Sequence, residues 1–147
     1  MKLANAVLDL KIITKSTQQL QQSYDAVLLE GAGGLLVPIT EQLLTLDYIA
    51  EQDYPVVLVT SGRLGSINHT LLSLEAIKAR GLTLHSVIYN HIHDSAAQTD
   101  DEIANSTIDY LKNYLARHYP NTYWLQMAQQ TNSAIGNDNL ALPPDFI

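Results

Sequence analysis

The chain contains no cysteine in its 147 residues. That excludes disulfides, thiolate nucleophiles and cysteine-ligated metal centres. Charge is also scarce, at 16% of residues, and cations are the scarcer sign: 8 Lys and Arg against 15 Asp and Glu, for a net charge of −7. A surface of that sign repels phosphate backbones, so nucleic acid is not an expected partner. No apolar run reaches the 18 residues of a membrane span, and no membrane association is expected. The segment from Met1 to Leu10 carries Asp9 inside its apolar part and has no small-residue cleavage site, so it reads as helix rather than signal peptide. With no leader and no cysteine, the expected compartment is the cytoplasm. There is one Trp and one Phe, and the eight tyrosines are scattered, so no base-stacking platform is foreseen.

What is present is apolar residue, 46% of the chain, enough for one domain, residues 1–147, with a hydrophobic core. Three short runs are rich in Val, Ile and Leu: Ala26 to Leu29, Val56 to Val59, and Leu84 to Tyr89. Continuous runs of this kind suit parallel strands covered on both faces. They start about 30 residues apart, the repeat of a βαβ unit. Helices are expected between and around them. Ser66 to Arg80 places Ile67, Leu71, Leu74 and Ile77 at helical spacing, with Ser66 as a cap and Gly81 past the end. Asp101 to His118 would bury Ile103, Ile108, Leu111 and Leu115, capped by Thr99 or Asp100. A helix from about Leu3 to Gln22 and a shorter one from Glu41 to Gln52 complete the expectation. From Asn132 onward the chain reads as loop.

The strand ends carry the chemistry. They are Glu30-Gly31, Ser61-Gly62 and Asn90-His91. In an open parallel sheet such positions share the carboxyl edge, where ligands bind. Glu30-Gly31-Ala32-Gly33-Gly34 is the most informative of them. A strand-terminal carboxylate suits Mg²⁺, which takes hard oxygen donors together with phosphate oxygens. Glycines directly after it let backbone N–H groups come close to an anion. A plain tight turn would leave the same pattern.

Several motifs are excluded. The dinucleotide fingerprint fails because its third glycine would fall on Leu36. No Gly-Lys pair occurs anywhere, so the phosphate loop of nucleotide hydrolases is absent from the sequence. The glycine turn therefore reads as the partner of a phosphate site rather than its main cradle. His91-x-His93-Asp94 offers too few ligands to define a metal centre. Ser61 and His69 do not make a hydrolase site without a Gly-x-Ser-x-Gly elbow.

Taken together, Ala26-Val-Leu-Leu-Glu-Gly-Ala-Gly-Gly34, Val37-Pro38, Pro55-Val-Val-Leu-Val59, Arg63-Leu-Gly-Ser-Ile-Asn-His69 and Val87-Ile-Tyr-Asn90 closely resemble the dethiobiotin synthetase family. The resemblance spans about 70 residues in the right order and spacing, and weakens past residue 95, where it rests on Trp124-Leu125. It implies an α/β fold of the three-layer P-loop-NTPase kind, a mostly parallel sheet with flanking helices, here without its N-terminal βα part. It implies ATP as cosubstrate, Mg²⁺, and a homodimer that closes the ureido ring on 7,8-diaminopelargonic acid with CO₂. By the same resemblance Glu30 is the Mg²⁺ ligand, and Gly31, Ala32 and Gly33 lie against the phosphates. Gly33, Gly34 and Asn68 hold the substrate. Asn90 meets the adenine, with His91 where the family is commonly acidic. Trp124 and Leu125 belong to the nucleotide side, with Tyr123 where a proline is expected. No catalytic side chain is assigned within these 147 residues.

Three readings follow from the resemblance. The chain is a piece of a dethiobiotin synthetase, inactive alone for want of the phosphate loop. Or it is a non-catalytic relative acting as a dimer or partner-binding protein. Or it is a fragment of a cobyrinate-synthetase-type ligase. The Leu-Gly-x-Ile-Asn-His element favours the first over the third.

Overall fold

A computed structural model describes residues 8–91 and 101–128, with the side chains of 101–104 left aside. The chain divides into two compact units, one within Met1–Glu51 and one within Gln52–Leu140.

The second unit is a βαβαβ module. Strand β1 (Val56–Ser61), helix α3 (Ser66–Ala79), strand β2 (Leu84–Asn90), helix α4 (Asp101–His118) and strand β3 (Tyr123–Met127) follow one another. Helices α1 (Leu10–Gln21) and α2 (Thr45–Glu51) belong to the first unit. The three strands form one parallel sheet in the order β1-β2-β3. This is the α/β architecture with flanking helices that the periodicity implied. Helical crossovers are what parallel neighbours require.

Register decides the faces. Thr60 pairs with Tyr89, and Tyr89 with Gln126. Thr60 is hydrogen-bonded to Thr70 of α3, while Tyr89 clusters with Ile108 and Leu111 of α4, with Trp124 packed against them. Both helices of this unit therefore lie on the face bearing Thr60, Tyr89 and Trp124. Tyr119, just past α4, donates its hydroxyl proton to the Leu74 carbonyl of α3 at 3.2 Å and ties the two helices together. Leu74, Ile77, Val87, Tyr89 and Leu111 are essentially inaccessible. Burial of an aliphatic side chain of that size contributes about 1.5–3 kcal/mol.

Helix α3 stops where the sequence says it should. Gly81 has φ +66°, its N–H bonds to the Lys78 carbonyl, and the Leu82 N–H reaches back to Ile77. That pair of bonds is a Schellman ending, which needs a residue in the left-handed region. Its beginning differs from expectation. Ser66 is the first helical residue rather than the cap. The cap is Gly65, at φ +86° and with no side-chain bond, a conformation Ser would adopt only with strain.

The first unit holds less regular structure. Helix α1 is capped by Asp9, whose carboxylate accepts from the Lys11 N–H at 3.0 Å. It starts later than the expected Leu3, and residues 3–7 lie outside the described residues. The short helix α2 begins at Thr45 rather than Glu41. The four residues before it are held in a turn by Thr40, whose hydroxyl accepts from the N–H groups of Gln42 and Leu43. Asp47 accepts from the Leu44 N–H at 3.3 Å, the carboxylate half of a capping box.

The main correction concerns Ala26 to Leu29. This run has no regular secondary structure and is not a strand, and Leu28 is 89% exposed. A strand exists only through hydrogen bonds to a neighbour, and no described segment supplies one. Conversely, Tyr123–Met127 is a strand that the sequence reading left unassigned, with Thr122 donating to the Leu84 carbonyl at 2.9 Å at its start. Thr99, Asp100, His93 and Asp94, and the burial of Ile103, fall outside the described residues, as does the loop expected from Asn132.

Candidate functional site

The candidate residues fall into both units, and each group is built by its own elements. In the first unit the Glu30–Gly34 turn follows the strandless run. Glu30 is exposed, and among the described residues nothing bonds its carboxylate. Gly31 sits against α2: a Cβ there would lie 2.8 Å from the Thr45 Cγ2, inside van der Waals contact. Thr45 is itself fixed, because its backbone N–H and its hydroxyl both donate to the Val37 carbonyl, at 2.9 and 3.1 Å. Gly33 and Gly34 take φ +89° and +123°, beyond easy reach of other residues. Nothing lies within 4 Å of a Cβ built on Gly34, so that side of the turn is open. Glu30, Gly31 and Ala32 rim a cavity of about 310 Å³ whose other walls are mainly apolar, among them Ile13, Val37 and Tyr48. Tyr48 is anchored by a 3.1 Å hydrogen bond between its hydroxyl and that of Thr14.

The Glu30 carboxylate is a hard oxygen donor of the kind Mg²⁺ takes, and the glycine N–H groups beside it suit an anion that would share the ion. That ion commonly takes one or two carboxylates and completes its shell with water and phosphate oxygens. Among the described residues no group of three His, Asp or Glu gathers as a fuller metal site.

In the second unit the carboxyl edge of the sheet is formed by Ser61 and Asn90, which are register partners. Both line a cavity of about 450 Å³ together with Arg63, Ser66, His69 and Thr70. The turn between β1 and α3 brings these residues there: the Ser66 N–H bonds to the Arg63 carbonyl and the His69 N–H to Gly65. The open N–H groups of a helix start face an anion favourably. Asn68, on the first turn of α3, is exposed and does not line the cavity.

His91 follows Asn90 and is held on two sides. Its ring meets Tyr89 edge-on, with centroids 4.8 Å apart, and its Nε2–H donates to the Gln126 Oε1 at 3.1 Å. Trp124 packs its ring against Tyr89, 6.0 Å between centroids, within the core under α4. Its Nε1 is buried with no hydrogen-bond partner among the described residues. Leu125 pairs with Ile88 in the sheet and is half-buried. The sequence reading missed four residues of these surroundings: Thr45, Thr60, Thr70 and Gln126. Only the Thr60–Thr70 pair left a trace. It consists of one hydroxyl in an apolar strand and another four residues after Ser66 on the helix face that carries Leu74.

Residues 1–119 match the model of a family described as an AAA domain, a P-loop-NTPase-like family. A protein of Pasteurella multocida named ATP-dependent dethiobiotin synthetase BioD 2 is 48% identical over 121 residues, 82% of this chain and 55% of that one. The protein of the same name from Haemophilus ducreyi is 49% identical over 126 residues, 86% of this chain and 57% of that one. Its namesake from Haemophilus influenzae reaches 63% over 83 residues, 56% and 44% of the two chains. The chain belongs to this AAA domain family and, within it, is a dethiobiotin synthetase family member. It spans about half the length of the curated relatives it matches.

Proposed function

We propose that the chain carries the metal-ligand and substrate-binding portion of an ATP-dependent dethiobiotin synthetase. In biotin biosynthesis such an enzyme closes the ureido ring of 7,8-diaminopelargonic acid with CO₂. The observation that carries this reading is the reach of the similarity: the 126 residues aligned with the Haemophilus ducreyi protein exceed either compact unit. The glycine turn and the sheet edge are therefore both drawn into it.

In this reading Glu30 holds Mg²⁺, which neutralises developing phosphate charge when bound. Gly31, Ala32 and Gly33 bring backbone N–H groups against the phosphates, and Gly34 leaves the substrate side open. Asn68 and the start of α3 take the substrate's distant carboxylate, as helix N-termini take anions. Asn90 presents an amide donor and acceptor to the adenine edge. His91, Trp124 and Leu125 stand around it, Trp124 through its backbone, since its ring is committed to the core. The functional protein is a homodimer in the cytoplasm. The 147 residues alone do not complete the reaction, because they contain no Gly-Lys pair to supply the triphosphate cradle.

The test has two arms. In an active protein containing this sequence, Glu30→Ala abolishes Mg²⁺-dependent turnover; unchanged Mg²⁺ dependence sinks the metal assignment. The isolated chain, titrated with ATP and Mg²⁺ by calorimetry, gives no micromolar binding; such binding would overturn the claim that it is incompetent alone.

A further inference from the structure

The strongest unassigned feature is a pair of hydroxyls. Thr60 is the second-last residue of β1, and Thr70 sits one turn beyond Ser66 in α3. Their Oγ1 atoms are 2.6 Å apart, near the short end for hydroxyl pairs, and the residues are only 9% and 4% exposed. Both line the 450 Å³ cavity. Further along the helix, the Tyr119 hydroxyl bonds to the Leu74 carbonyl, but the first turn of α3 has little else to direct it among the described residues. Helix α3 has no side-chain cap, its preceding residue Gly65 imposes no rotamer, and Leu64 in the connecting turn is fully exposed. Apolar burial of Leu74 and Ile77 turns the helix face toward the sheet, and a buried hydrogen bond of this length adds a directional constraint at one point near the helix start.

We propose that the Thr60–Thr70 hydroxyl pair is a latch that positions the first turn of α3 against the carboxyl end of β1. Both threonines are then positioning residues for whatever that turn binds. The functional consequence rests on the reading above, in which the turn takes the substrate carboxylate. The latch itself stands on the geometry of the pair.

Positioning and mere stability separate because the two hydroxyls can be removed singly or together. Thr70→Val leaves the Thr60 hydroxyl buried without a partner, which is the costly case. Removing both with the isosteric Thr60→Val and Thr70→Val is close to neutral. The melting temperature should therefore fall in the single variant and largely recover in the double one. The latch predicts that positioning does not recover.

Its readout in the 147-residue chain is the hydrogen-exchange protection of the His69 amide, the N–H that bonds to the Gly65 carbonyl at 3.0 Å, relative to the protection of the Ile77 amide deep in the same helix. The ratio should drop about fivefold in both the single and the double variant, the worth of one typical hydrogen bond. Thr70→Ser, which keeps the hydroxyl, should restore it. An unchanged ratio in the double variant overturns the latch.

A titration with 7,8-diaminopelargonic acid, followed by amide shifts at residues 65–68, decides the consequence separately. Binding by the wild-type chain that weakens at least about fivefold in the double variant supports the positioning role. Equal binding by both overturns it. No binding by the wild-type chain counts against the substrate reading, while the exchange ratio still decides the latch.

Discussion

Two apolar runs of nearly the same composition meet different fates. Val56–Ser61 is a strand, while Ala26 to Leu29 is not. The first has β2 beside it with six register pairs, and α3 packs on its face. The second has no hydrogen-bonded neighbour among the described residues and leaves Leu28 in solvent. Local sequence cannot distinguish them, because β propensity describes fitness for a half-buried pleated surface rather than a backbone preference. Among the described residues that surface is found in the second unit. The Glu30–Gly34 turn, which follows the strandless run, is held by something else: the close approach of Gly31 to Thr45 and the paired Thr45 bonds to Val37.

That contrast is open to direct attack. The largest expected effect is Leu74→Ala in the second unit. Its side chain is fully buried, so urea denaturation should show a loss of about 2–5 kcal/mol. The matching change in the run without a strand, Leu28→Ala, should stay within about 0.5 kcal/mol. Comparable losses at both positions would break the comparison. Next comes Gly31→Ala, which drives a methyl into Thr45 and should cost about 1–3 kcal/mol. Thr45→Ser removes the offending Cγ2 while keeping the hydroxyl, and should rescue most of that loss. If the two changes simply add, the turn is not held by this contact.

A smaller loss than at Leu74 or Gly31 is expected for Tyr119→Phe, about 1 kcal/mol for the bond to Leu74. It has a pH signature. Burial, first, and then the nearby Tyr114 and Glu75 raise the Tyr119 phenol above the ordinary 10.0. A raised pKa contributes stability that is fully present below pH 10.0 and is lost as pH rises through the folded-state value. Alkaline melting curves of wild type and Tyr119→Phe should therefore converge at high pH.

Much of the second unit was legible in the residues. The spacing of Ile108, Leu111 and Leu115 gave α4 to its observed ends, and Leu71, Leu74 and Ile77 gave α3 with its glycine stop. Periodicity reports burial on one face, and these helices bury one face. The ends of β1 and β2, Ser61 and Asn90, also meet as topology required, in one cavity. What stayed hidden was what depends on partners distant in sequence. Tyr123–Met127 mixes ring, amide and aliphatic residues, and becomes a strand only because β2 offers it an edge. Gln126 becomes the partner of His91 only across that same pairing. Thr45 matters only because Gly31 leaves no room beside it.

The sheet order has one more consequence, for handling the protein. Among the described residues β1 is bonded on one side only, and its Val57 and Val59 are 37% and 57% exposed. An unpaired strand edge with exposed apolar side chains invites other chains to add to it. At neutral pH the net charge of −7 keeps molecules apart. Near the isoelectric point of 4.9 that repulsion vanishes. Acidification and concentration should thus act together as the route to precipitation, and the shelf life of a stock is set as much by its buffer as by the strength of its fold.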